Sequence, residues 1–116
     1  MAKRIQFSET GTPDVLQYVD YQPQDPQADE VQVENKAIGI NYIDTYVRSG
    51  LYAPASFPAG LGTEAAGIVS KVGSGVTDIK PGDRVVYAQS APGAYSEFHN
   101  VPQEKIALLP DAISFE

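Results

Sequence analysis

The sequence predicts a mainly β domain, an irregular and partly open barrel that carries short helices. Three observations predict it. The apolar runs are short, and they either alternate with polar residues or cluster β-branched side chains, as strands do. Gly and Pro stand at the ends and bends of those runs, and six of the ten glycines fall within residues 60–87. A single segment, opening at Asn41, carries the start and stop signals of a helix.

Lys3-Arg4-Ile5-Gln6-Phe7 alternates polar and apolar residues, the pattern of a half-buried strand. Gly11-Thr12-Pro13-Asp14 is a turn, residues 15–21 form a second extended run, and Pro23 and Pro26 mark a polar loop. Over 30–38 the alternation is clearest. It puts Val31, Val33, Asn35 and Ala37 on one face and Gln32, Glu34 and Lys36 on the other.

After Gly39 the period changes. Asn41 as N-cap, Asp44 three residues on, Arg48 near the end and Gly50 just beyond predict a short helix. Asp44 and Arg48 also stand four residues apart, the spacing of a helix ion pair. Ile40, Ile43 and Val47 fall towards one side, leaving Tyr42, Asp44 and Tyr46 free to face elsewhere. Residues 51–58 are irregular, with two prolines and the aromatics Tyr52 and Phe57.

Ile68, Val69 and Val72 belong to one β-branched run, closed by Gly73-Ser74-Gly75, residues that tolerate positive φ. Lys80-Pro81-Gly82-Asp83 has Pro and Gly at the two centres of a type II turn, and Arg84-Val85-Val86-Tyr87 resumes as a strand. Residues 93–101 read as a further strand, and Ile106-Ala107-Leu108-Leu109 as a short one stopped by Pro110. Ser114 is placed as the N-cap of an element that the chain only enters, so the chain is expected to be a fragment of a longer protein.

The 116 residues fit one domain, 1–116. Fifteen acidic against eight basic side chains give a formal charge of −7, which argues against a nucleic-acid footprint and against a polybasic membrane surface. The sequence has no signal-peptide stretch and no apolar run of membrane-spanning length, so a cytoplasmic location is expected. Without cysteine there is neither a disulfide nor a thiolate metal site in these residues.

Catalytic zinc needs three protein ligands and an open position, and the chain offers one histidine, His99, and no cysteine. No metal site is expected. The glycines of Gly60-Leu61-Gly62 and Gly67 miss the spacing of a dinucleotide fingerprint and precede a strand, so they are structural corners. Glu64 has two readings: a half-buried carboxylate bonded to backbone or an Arg, or an acid whose pKa is raised for catalysis. The densest chemistry lies in residues 39–52. A helix N-terminus with free N–H groups, a carboxylate, a hydroxyl and three phenols suit a planar amide ring such as nicotinamide. From residue type alone, a helix capping a barrel with half-exposed tyrosines accounts for the segment equally well.

Two patterns carry a family resemblance. Gly62-Thr63-Glu64-Ala65-Ala66-Gly67, Val69-Ser70-Lys71-Val72-Gly73 and Gly82-Asp83-Arg84-Val85 resemble the signature of the medium-chain dehydrogenase/reductases, which include zinc-dependent alcohol dehydrogenases. Asn41-Tyr42-Ile43-Asp44-Thr45-Tyr46, followed by Arg48, Gly50 and Tyr52, resembles the zinc-free quinone oxidoreductase (ζ-crystallin-like) branch. Under this resemblance Asn41 stands at the family's cysteine-ligand position and Thr63 at its histidine-ligand position. The resemblance implies a GroES-like catalytic domain, completed in the whole enzyme by a Rossmann domain that holds NADPH and by a returning C-terminal segment. It implies metal-free transfer of reducing equivalents from NADPH to a quinone by a homodimer, with the fragment alone inactive. It places Tyr42, Ile43, Asp44, Thr45 and Tyr46 at the nicotinamide. Asn41, Asp44, Tyr46 and Tyr52 become the catalytic set, the first two as polar anchors and the tyrosines shaping the quinone site. The alternatives are a metal-free enoyl-thioester reductase domain and a non-enzymatic, co-chaperonin-like binding module on the same scaffold.

Overall fold

A computed structural model describes residues 2–116 and contains two open antiparallel sheets joined by irregular segments. The first has the order β2-β1-β4, with β1 at Ala2–Phe7, β2 at Gln17–Tyr21 and β4 at Ala59–Gly60. The second has the order β7-β3-β5-β6-β8. Its strands are β3 (Glu30–Ile38), β5 (Ala65–Val72), β6 (Arg84–Tyr87), β7 (Phe98–Pro102) and β8 (Ile106–Leu108). One α-helix, α1 (Tyr42–Ser49), lies between β3 and β4 in the chain. The mainly β architecture is the predicted one, and neither sheet closes on itself.

The core is built on the larger sheet. Val31 and Val33 of β3, Val69 of β5, Val85 and Tyr87 of β6 and Val101 of β7 are buried together. The stiff, branched side chains suit a pleated surface, and burying each contributes on the order of 1.5–3 kcal/mol. The Tyr87 hydroxyl is not stranded there, because it donates to Asn35 Oδ1 at 3.0 Å. Asn35 in turn donates to the carbonyls of Ala94 and Ser96 at 3.1 and 3.0 Å. Burial, partly offset by the Asn35 bond, pushes the Tyr87 phenol above its ordinary range.

The structure departs from the expected burial in β3. Gln32, expected on the polar face, is buried like Val31 and Val33. Val31 and Val33 keep the period of two in the core, and Gln32 lies on the other face, covered by the loop at Gln24, where its amide donates to the Gln24 carbonyl at 2.9 Å.

The run over 15–21 begins later than expected, because Pro13–Val15 is a 3₁₀ turn and β2 starts at Gln17. Likewise only Phe98–Pro102 of the region after Gly93 is a continuous strand. Before it the chain crosses between the sheets: Ile5 N–H donates to the Tyr95 carbonyl at 2.8 Å, and Arg4 bridges to Ser96.

Two glycine corners differ in cause. Gly82 has φ 94°, and Asp83 N–H donates to the Lys80 carbonyl at 3.1 Å, the expected type II turn. Gly73 does not have positive φ, and neither does Gly75. At Gly73 a Cβ would overlap the Gln27 carbonyl oxygen, so closeness of backbones, not turn handedness, requires glycine. The tail is held by Arg84, which donates to the Pro110 and Ile113 carbonyls at 2.7 and 2.8 Å and lies over the Phe115 ring.

Candidate active site

Helix α1 organises the candidate site. Asn41 occupies the N-cap in extended conformation, and with Asp44 at N3 it forms a capping box. Asp44 Oδ2 accepts the Asn41 N–H at 3.0 Å, and Asp44 N–H donates to the Asn41 carbonyl at 3.0 Å. Gly50 ends the helix in left-handed conformation at φ 99°, donating to the Tyr46 carbonyl at 3.2 Å. Both helix ends lie where the sequence signals put them.

The faces of the helix are not those expected. Asp44, placed by the sequence on an outward side, is buried at 4% exposure, while Ile40 and Ile43 are exposed. The carboxylate tolerates burial because Asp44 Oδ2 also accepts the Tyr95 hydroxyl, at 2.6 Å. Burial and the Asp44 carboxylate push the Tyr95 phenol above its ordinary range, so it remains a donor. The Asp44–Arg48 ion pair does not form. Arg48 donates from Nε to the Gly11 carbonyl at 3.1 Å, and its own carbonyl accepts the Gly11 N–H.

The buried polar anchor leaves the aromatic side of α1 to solvent. Tyr42, Tyr46 and Tyr52 are exposed, together with Ile43 and Leu51. Tyr46 and Tyr52 meet edge to face, with ring centroids 5.9 Å apart. The Tyr52 N–H also donates to the Tyr46 carbonyl at 3.1 Å. Thr45 is half-buried, and its hydroxyl donates to the Tyr42 carbonyl at 2.6 Å. Asn41, Tyr42, Ile43, Thr45, Tyr46 and Tyr52 are therefore all at least partly exposed on or beside α1, while the buried Asp44 ties its first turn to Tyr95. This is an apolar, hydroxyl-bearing wall, not an enclosed cavity. A cavity of about 560 Å³ lies elsewhere, between the sheets, among Gln6, Gln24, Gln32 and Asn100.

The other sequence candidates lie apart from this wall. His99 Nε2 is 3.1 Å from the Ala91 carbonyl oxygen and 3.2 Å from Ser90 Oγ, and its ring packs near Tyr87. Burial holds the imidazole below its ordinary pKa. Among the described residues no three His, Cys, Asp or Glu side chains converge as a metal site. Glu64 is half-buried against Gly39, where a Cβ would overlap its carboxylate. The expected Arg or backbone partner for that carboxylate is absent among the described residues. Tyr95 escaped sequence reasoning altogether. It sits in an apparent strand without a site pattern, and only its contact with Asp44 marks it.

The exposed wall offers phenol rings and hydroxyls and not charge. All eight Lys and Arg side chains already have partners within the chain. Among the described residues no free cationic cluster stands beside α1.

Residues 27–111 match the model of the alcohol dehydrogenase GroES-like domain. Quinone oxidoreductase 1 of Escherichia coli is 70% identical over 116 residues, which are 100% of this chain and 36% of that protein. A quinone oxidoreductase of Pseudomonas aeruginosa is 59% identical, with the same coverage of 100% and 36%. The crystal structure of the E. coli quinone oxidoreductase complexed with NADPH superposes with TM-score 0.96 at 69% identity, covering 98% of this chain and 35% of that one. The chain thus spans about a third of the length of the relatives it matches. With most of its length matched by that model, the chain belongs to the alcohol dehydrogenase GroES-like domain family.

Proposed function

We propose that residues 1–116 form the substrate-side domain of a metal-free NADPH:quinone oxidoreductase. The observation that carries this reading is the exposed Tyr46–Tyr52 pair at the end of a helix anchored by a buried carboxylate. In the longer protein a Rossmann domain holds the adenosine and phosphates of NADPH, and the reacting cleft lies between the two domains. The named quinone oxidoreductases supply the substrate class, and the NADPH complex of one of them supplies the cofactor.

NADPH, when bound, supplies reducing equivalents. The residues of this chain bind, orient and exclude water. Tyr42, Ile43, Thr45 and Tyr46 border the nicotinamide ring. Asn41 is the polar anchor at the helix start, and Asp44 fixes that start from inside. Tyr46 and Tyr52 shape the quinone site, with the Tyr46 hydroxyl as hydrogen-bond donor to a quinone oxygen. No step needs a metal, because amide and hydroxyl side chains, Asn41 and Thr63, take the positions assigned above to zinc ligands. The whole enzyme is a cytoplasmic homodimer in this reading.

The test uses the longer enzyme, dialysed against a strong chelator and supplied with NADPH. Rapid oxidation of NADPH with a quinone is the expected result. Turnover of an enoyl thioester without turnover of quinones, or loss of activity restored by zinc, would replace this reading.

A further inference from the structure

We propose that Tyr95 is a positioning residue for the reacting wall, acting through Asp44 on the first turn of α1. The proposal rests on the reading of α1 as one side of the cleft. Tyr95 is clamped at four points. Its N–H donates to the Leu61 carbonyl at 2.9 Å, and its carbonyl accepts the Ile5 N–H at 2.8 Å. Its ring lies over Gly62, whose φ is 90° and where any Cβ would overlap the ring. Its hydroxyl ends on Asp44 Oδ2 at 2.6 Å, the oxygen that also accepts the Asn41 N–H at 3.0 Å.

The phenol therefore converts the fixed position of the β1 and Leu61 backbones into a fixed position for Asn41. Asn41 is the first polar group of the wall, and Tyr46 lies just over one helical turn beyond it. A short O–H donor to a carboxylate is among the stronger neutral-to-ionic hydrogen bonds, and here the carboxylate is buried and the phenol half-buried. Tyr95 itself is not among the exposed tyrosines, so its role is to hold the wall and not to touch the reactants.

The experiment compares Tyr95→Phe, Asp44→Asn and the double variant in the longer enzyme. Tyr95→Phe keeps the ring against Gly62 and removes only the bond to Asp44. It is expected to lower kcat by about tenfold while both KM values stay within about twofold, because positioning is felt most in the transition state. The double variant is expected to fall no lower than the worse single variant, as for residues acting in one chain of contacts. Hydrogen exchange supplies a readout independent of the reaction: the Asn41 amide exchanges faster in Tyr95→Phe, while β3 amides keep the parent rates. Unchanged kcat in Tyr95→Phe, additive losses in the double variant, or faster exchange spread evenly through β3 would each overturn the proposal. If the parent reduces an enoyl thioester and not a quinone, the substrate reading fails. The same variants assayed on that thioester, and the Asn41 exchange rate, still decide the role of Tyr95.

Discussion

Tyr46 and Tyr52 are joined twice, by the Tyr52 N–H to the Tyr46 carbonyl at 3.1 Å and by an edge-to-face ring contact at 5.9 Å. The backbone bond fixes the spacing of the two rings, and the ring contact fixes their tilt. Gly50, at φ 99°, makes the turn between them possible. The two phenols are thus set as a pair across the end of α1, although five residues separate them.

The pair yields the first prediction. Tyr46→Phe keeps both the ring contact and the backbone bond, so the melting temperature of the longer enzyme should hold. If the hydroxyl bonds a quinone oxygen chiefly in the transition state, kcat falls with KM little changed. Tyr52→Ala removes an aromatic partner worth about 0.5–1.5 kcal/mol in a well-packed pair, and less at this exposed site. It should raise the KM for quinone more than it lowers stability. Steady-state kinetics and thermal melts on both variants check this. Parent-like kinetics in both would make the tyrosines mere surface aromatics.

The helix shows how far the sequence was legible. Its ends were written in local chemistry: Asn41, Asp44 and Gly50 act within one turn of themselves, and the structure has them there. Its faces were not. Whether Asp44 points in or out depends on Tyr95, more than fifty residues away in sequence, and no local pattern carries that contact. The same limit explains Gln32. Alternation marks it as outward, and it does face away from Val31 and Val33, but the loop at Gln24 covers it and supplies the carbonyl that its amide bonds. Strand positions at β5 and β6 were readable because their Gly and Pro boundaries are local signals.

Gly73 and Gly82 give a paired prediction about why each is glycine. At Gly82 the space around a Cβ is open and the constraint is φ 94°. Gly82→Ala should cost about 1–2 kcal/mol for left-handed backbone, and Gly82→Asn distinctly less. At Gly73 the constraint is the Gln27 carbonyl. Gly73→Ala should cost about 1–3 kcal/mol through overpacking, and Asn should bring no relief. Urea melts of the four variants separate the two causes. Rescue of position 73 by Asn would show that handedness, not closeness, governs that corner.

His99 sets a pH dependence. Its folded pKa lies below the ordinary value of 6.5 because burial disfavours the imidazolium. The unfolded chain therefore takes up a proton before the folded one does. Stability from this residue is complete above about pH 6.5 and declines as pH falls from there towards the folded pKa. Ordinary carboxylates titrate near pH 4, below this window. The slope of unfolding free energy between pH 6.5 and 5 should be positive with pH in the parent and smaller in His99→Gln. Equal slopes in the two proteins would remove His99 as the cause.

The pairing of the cations leads to a prediction about division of labour. Lys3, Lys36, Lys71 and Lys80 face carboxylates, and Arg48, Arg84 and Lys105 are held by backbone carbonyls. Arg4 donates to Gln6 and lies over Tyr21. A dinucleotide with a pyrophosphate and a further phosphate meets no unpaired Lys or Arg side chain among the described residues, and the formal charge of −7 repels it. The 116 residues alone should then bind NADPH no better than they bind nicotinamide mononucleotide, since only the ring end finds a surface that suits it. Their NADPH oxidation with a quinone should not rise above the rate without protein. Titration calorimetry with both nucleotides and an absorbance assay with the isolated chain provide the measurement. Saturable NADPH oxidation by the isolated chain, or a large preference for the dinucleotide, would mean that this domain recognises the phosphates. In that case the Rossmann partner would be less necessary than the proposed architecture requires.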